Sequence, residues 1–162
     1  MRLPWHAVGG GVVAVALGAA GLIAAAVPQS SGAAPTTSSG PGAVTIADAY
    51  VRVPVPPGKE AAAYFTVYNT TGQPDRITSV QTGAGATAEL HSASMQELSG
   101  ATVPAHGKLA LRTGGMHVMI GQLFGKLVAG QFVNIDVNFV HAGAIDVVAK
   151  VIPYGATPPG GN

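Results

Sequence analysis

Four side chains in this chain have the types and spacing for metal chemistry: His91, Met95, His117 and Met119. They fall in two pairs, HSASM (91–95) and HVM (117–119). Imidazole with thioether is a donor set for a soft cation. Cu(I) is the leading candidate, because thioethers select copper while carboxylate and carbonyl oxygens select calcium or magnesium. The chain has no cysteine, so the thiolate of blue-copper centres and of most structural zinc sites is missing. Such a site would hold one Cu(I) per chain as cargo rather than cycle it at a thiolate. No Asp or Glu lies inside either pair, which disfavours hard cations. Glu89 and Glu97 flank the first pair and are the carboxylates whose placement matters.

Strands must position these residues. His117 and Met119 stand at i and i+2, so they project from one face of a strand while Val118 and Met116 take the other. Met116 is thereby a packing residue. His91 and Met95 flank Ser92-Ala93-Ser94; a tight hairpin there would set them opposite each other, with Cβ atoms about 5 Å apart. Around them, apolar and β-branched runs are bounded by Gly, Pro, Asn and Asp, the punctuation of an all-β chain. We expect strands near 46–53, 61–69, 76–82, 86–91, 95–98, 108–111, 117–120, 131–140 and 144–152. In VNIDVNFV, Val133, Ile135, Val137 and Phe139 face one way and Asn134, Asp136 and Asn138 the other. HAG (141–143) is a hairpin turn with Gly available for positive φ. Eight or nine short strands imply an all-β, two-sheet β-sandwich of immunoglobulin or cupredoxin type.

The ends of the chain read differently. Residues 7–27 run without a charge after Arg2, and Ala24-Ala25-Ala26 suits signal peptidase. Residues 1–27 thus fit a cleaved signal peptide and an uncleaved membrane anchor equally. Either way the domain is placed outside the cytoplasm, secreted or tethered to the outer face of the membrane. Membrane contact, if the segment is uncleaved, is expected only through 7–27. Residues 28–42, PQSSGAAPTTSSGPG, read as a disordered linker, 43–154 as the folded domain and 155–162 as a disordered tail. With no cysteine there is no disulfide framework, and a domain of this length can stand on its core alone.

Other functions find little footing. Charged residues are 9% of the chain and the formal net charge is +1, without a basic cluster, so no nucleic-acid partner is expected. No G-x-S-x-G elbow is present, and no Gly-rich loop follows a strand and opens a helix. Asp48, Asp75, Asp136 and Asp146 are scattered singly, unlike a glycosidase pair. The chain is therefore not read as an enzyme. His106 in a turn and His141 in a hairpin have no soft donor at ligand spacing, and His6 belongs to the export segment.

TVPAHGKLALRTGGMHVMIGQL (102–123) resembles the PCuAC-type extracytoplasmic copper chaperones, as does ADAYVRVPVPPGKEAAAYFTVYNTTGQPDRITSVQT upstream. Members carry a His, ten residues, a Met, twenty-one residues, then His-x-Met. Here 96–116 supplies the twenty-one between Met95 and His117, and HVM follows. The resemblance covers about 46–153 and implies a cupredoxin-like sandwich holding Cu(I) at these four positions. It further implies delivery to a copper acceptor, such as a haem–copper oxidase subunit or assembly factor. The chain departs from the pattern between His91 and Met95, with three residues for ten and Ser92 where a Met often follows the His. That deletion favours the alternative, an exported interaction or envelope module whose metal site is degenerate.

Overall fold

The structure is a computed structural model that describes residues 43–160; the expected export segment and linker lie outside the described residues. Among the described residues there is no helix, and nine strands form the domain: β1 (Val44–Arg52), β2 (Ala61–Asn69), β3 (Asp75–Thr82), β4 (Gly85–His91), β5 (Ala101–Val103), β6 (Gly107–Ala110), β7 (His117–Leu123), β8 (Phe132–Phe139) and β9 (Gly143–Ile152). The all-β expectation holds. Strands 95–98 and 101–103 were exchanged relative to the sequence reading: Met95–Leu98 forms only an isolated bridge, and Ala101–Val103 is a strand the sequence did not show.

The sandwich is one hydrogen-bonded path, β4-β7-β2-β1-β9-β8-β3-β5, with β6 on the remaining stretch of β2. The path folds over, so that β3 packs against β4. Every pairing is antiparallel except β1 with β9, where Tyr50, Val51 and Arg52 run beside Lys150, Val151 and Ile152. The enclosed core contains Phe65, Ile77, Ile120, Ile135, Val51, Val118 and Val137, all fully buried. Alternation built it: Val133, Ile135, Val137 and Phe139 are buried along β8. Met116 is partly buried against this core, as a packing residue should be. All of these elements lie within 43–160, which fall in one compact unit.

Two carboxylate arrangements set the stability of the β8–β9 arm. Buried Asp75, at the start of β3, accepts backbone N–H bonds from Arg76 at 2.7 Å, His141 at 3.0 Å and Ala142 at 2.9 Å. It clips the β8–β9 turn, where Gly143 has φ 75°, to a neighbouring strand. Asp136 and Asp146, scattered in sequence, are cross-strand partners. The hydrogen bond that protonated Asp136 donates to Asp146, then burial, then charge repulsion push the Asp136 carboxyl above its ordinary range.

A raised carboxyl pKa stabilises the fold below the unfolded value, 3.8, and that contribution is lost as pH rises through the folded value. The like charge of Asp146 across the strand pair is one of the causes that push Asp136 up, so the pair is repulsive once Asp136 loses its proton. Asp146→Asn should therefore stabilise the domain at pH 7 by about 0.2–1 kcal/mol. At pH 3 it should give no gain. Denaturant midpoints at the two pH values measure it.

Candidate metal centre

β4 and β7 approach each other closely. A Cβ at Gly85 would sit 2.4 Å from the Gly121 carbonyl oxygen, so only glycine fits there. The resulting register sets His91 directly opposite His117 and Glu89 opposite Met119. β7 also pairs with β2, Ala62 with Met119 and Ala63 with Val118, and β2 with β1, Tyr50 with Tyr64 and Arg52 with Ala62. Two parallel rows therefore cross one face of the sheet. The first is Tyr50, Tyr64, His117, His91. The second, two residues further along, is Arg52, Ala62, Met119, Glu89.

The first row is an aromatic ladder. Ring centroids are 4.9 Å apart for Tyr50 and Tyr64, 6.2 Å for Tyr64 and His117, and 5.9 Å for His91 and His117, the last pair stacked within 18°. Arg52 lies over the Tyr50 ring, 5.5 Å from its centre. Its Nη1 donates to the carbonyls of Pro153 at 3.3 Å, of Ala156 at 3.0 Å, and of Tyr154. Tyr50, Tyr64 and Ile152 make a small second apolar cluster outside the main core. The turn before β7, closed by Gly115 N–H to the Arg112 carbonyl at 2.9 Å, brings Thr113 to the tyrosines, 3.5 Å from the Tyr50 hydroxyl. Burial pushes the Tyr64 phenol above its ordinary range, opposed by its hydrogen bond with Thr113. His117 is 8% exposed against this wall.

The imidazoles are oriented alike. Nδ1 of His117 lies 3.0 Å from the Gly115 carbonyl oxygen, and Nδ1 of His91 lies 3.2 Å from that of Glu89. A carbonyl only accepts, so each Nδ1 donates, and in the neutral imidazole that tautomer leaves the Nε2 lone pair available. A backbone acceptor on the far nitrogen is how metal-binding histidines are commonly held. Met119 is on the same face as His117, half-buried.

Met95 is placed differently from the sequence expectation. The bridge partner of His91 is Glu97, not Met95. A five-residue turn (92–96) intervenes, closed by Ser92 N–H to the Gln96 carbonyl at 2.8 Å and Met95 N–H to the Ser92 carbonyl at 3.0 Å. The Ser92 hydroxyl also accepts from Gln96 N–H at 3.2 Å. Met95 stands at the tip, 56% exposed, with φ 63°. A left-handed backbone costs an ordinary residue roughly 1–2 kcal/mol. Met95→Gly should thus stabilise the metal-free fold by about 1 kcal/mol, and a melt without metal checks it. A destabilised variant would mean that the side chain, not the backbone, matters to the turn.

Glu89 and Glu97 are thus both near the histidines in register. Yet among the described residues no three His, Cys, Asp or Glu side chains gather as a metal-holding group. The structure leaves the other histidines elsewhere. His106 lines a polar cleft with Tyr68, Thr70 and Lys108, His141 sits at the Asp75 clip, and His6 is outside the described residues. The tyrosine wall was missed in the sequence, where Tyr50 and Tyr64 read as ordinary strand residues.

The family model described as "Putative lipoprotein LpqE-like" matches residues 44–151. No curated protein matches the chain. Among solved structures, the copper-bound PCuAC domain from PmoF2 is 20% identical with a TM-score of 0.64, covering 72% of this chain and 97% of that one. The solution structure of the Cu(I) form of DR1885 from Deinococcus radiodurans is 29% identical with a TM-score of 0.57, covering 64% and 74%. Its apo form is 25% identical with a TM-score of 0.55, covering 89% and 100%. The chain shares its fold with the PCuAC domains and belongs to the LpqE-like family.

Proposed function

We propose that this protein is an exported Cu(I) carrier, binding one ion through His91, His117, Met119 and Met95 and passing it to an acceptor such as a haem–copper oxidase subunit or assembly factor. The observation that carries the reading is the imidazole pair, facing each other across β4 and β7 with both Nε2 lone pairs free. The 29% identical DR1885, solved with Cu(I), supports it. Imidazole anchors the ion, and thioether adds softness without proton competition. Exposed Met95 offers an entry and exit donor, so the ion can be handed on by ligand exchange. The carrier has no catalytic role.

The family description supports export and membrane association. None of the 162 residues is cysteine, so none can bear a thioether-linked lipid. Attachment through this stretch would fall to residues 7–27.

The position of Met95, exposed in its turn rather than paired with His91, favours a second reading: an interaction module whose site has decayed. Thermal melts with and without Cu(I) under reducing conditions separate the two. A carrier must melt higher with the ion, by about 2.7 kcal/mol of added stability at a hundredfold excess over Kd. A decayed module would show no shift.

A further inference from the structure

At the end of β7 away from His117, a cavity of about 640 Å³ opens between the β1–β2 and β7–β8 loops. Its walls include Val53, Pro56, Leu123 and Leu127. Lys59 and Lys126 line it, and no carboxylate does; Glu60 beside it lies over Gly121 instead. Built turns hold the loop tips. Gly58 N–H donates to the Val55 carbonyl at 2.7 Å, and Gln131 N–H to that of Val128 at 3.1 Å. The Gln131 side chain accepts from Val128 N–H at 2.9 Å.

On these banks Phe124 is 72%, Val55 48% and Val128 49% exposed. A single exposed apolar side chain means little, but a cluster around one groove marks a contact surface. Val128 lines the groove itself, while Phe124 follows the lining residue Leu123 and Val55 stands between the lining residues Pro54 and Pro56. Cations without carboxylates make the complementary surface anionic.

We propose that this end of the domain docks on an anionic bilayer. Phe124, Val55 and Val128 enter the boundary between headgroups and acyl chains, and Lys59 and Lys126 pair with lipid phosphates. Leu123 is the sixth residue after His117 along β7, so docking would hold the imidazole pair about 20 Å along the strand from the membrane. The contact is compatible with a second one through 7–27. Val44, where the linker enters, is at the opposite end of β1, about 30 Å away, and the fifteen residues 28–42 can reach about 50 Å. The proposal does not depend on copper.

Residues 33–162 provide the test, because they omit the apolar run 7–27 and the chain's single tryptophan, Trp5. Sedimentation with phosphatidylglycerol/phosphatidylcholine vesicles should show salt-sensitive binding that pure phosphatidylcholine does not match. Phe124→Ser/Val128→Ser should weaken it at least about tenfold. Lys59→Gln/Lys126→Gln should weaken it roughly fivefold per lysine on the anionic vesicles alone. A Phe124→Trp variant, unaltered in charge and fold, should shift its emission to the blue and be quenched by brominated lipid. Absence of vesicle binding, or binding indifferent to the serine pair, would overturn the proposal. So would capture of monomeric dodecanoate without vesicle binding, or a lipid-free dimer that the serine pair dissolves.

Discussion

Met119→Leu is expected to leave the metal-free domain as stable as the parent while weakening Cu(I) binding by an order of magnitude or more. Leucine keeps the volume and apolar character of methionine, a swap that usually costs under about 1.5 kcal/mol even in a core. Met119 is only half-buried on the outer face, so the cost should be smaller. What leucine lacks is the sulfur. Losing an outer partner of a metal ligand already lowers affinity about 10–100-fold, and losing a donor should do no less. His117→Ala should cost more affinity, but it also removes a ring from the aromatic ladder, so its effect mixes binding with packing. The leucine variant separates them. Chelator competition and a metal-free melt on one preparation measure both halves, and unchanged affinity would remove Met119 from the site.

The largest stability effect is expected at Asp75. Its carboxylate accepts three backbone N–H bonds. Burial pushes the carboxyl up, but the donors from His141, Arg76 and Ala142 outweigh it and hold it below its ordinary range. Hydrogen bonds to a charged group contribute about 1.5–3 kcal/mol each at most, and stranded donors cost about 1–3 kcal/mol. Asp75→Ala should destabilise the domain by about 3 kcal/mol at pH 7. A lowered carboxyl pKa stabilises above the unfolded value, 3.8, and that contribution disappears as pH falls through the folded value. The penalty for Asp75→Ala should therefore shrink in acid. Urea midpoints at pH 7 and pH 3 would show it. Asp146→Asn has the opposite sign, gaining stability at pH 7, so the two variants form an internal control.

The parts of the fold legible in the sequence are those written in local periodicity. β8 and β9 alternate cleanly and flank a Gly-containing turn, so their faces and hairpin could be read directly. β1 is harder. A bulge between Ala47 and Tyr50, with Asp48 at φ 54°, breaks the alternation, so that Tyr50, Val51 and Arg52 are all buried. Tyr50 thereby enters the outer cluster beside Tyr64, and the wall behind His117 leaves no periodic trace. Met95–Leu98 read as a strand by composition, yet the Ser92 and Ser94 side chains close a turn there. Ala101–Val103 is too short to show a period and is held by its pairing with β3.

The candidate site divides in the same way. That His117 and Met119 share a face follows from strand geometry, and so was readable. That His91 stands opposite His117 depends on the pairing of β4 with β7, strands distant in sequence. Glycines at 85 and 121 permit that close pairing, but nothing local marks them as partners. The Nδ1–H bonds that free both Nε2 atoms are backbone features that only the assembled sheet reveals. A three-residue hairpin would have paired Met95 with His91, but five residues make the turn and the bridge falls on Glu97.

The proposed function stands or falls on joint binding of a copper ion by His91 and His117. Its most direct test is a Cu(I) titration of residues 33–162 against a chromogenic chelator, with the His91→Ala/His117→Ala variant in parallel. One equivalent should be bound tightly by the parent and none by the variant. A parent that fails to compete with the chelator, or a variant that competes equally well, would contradict it.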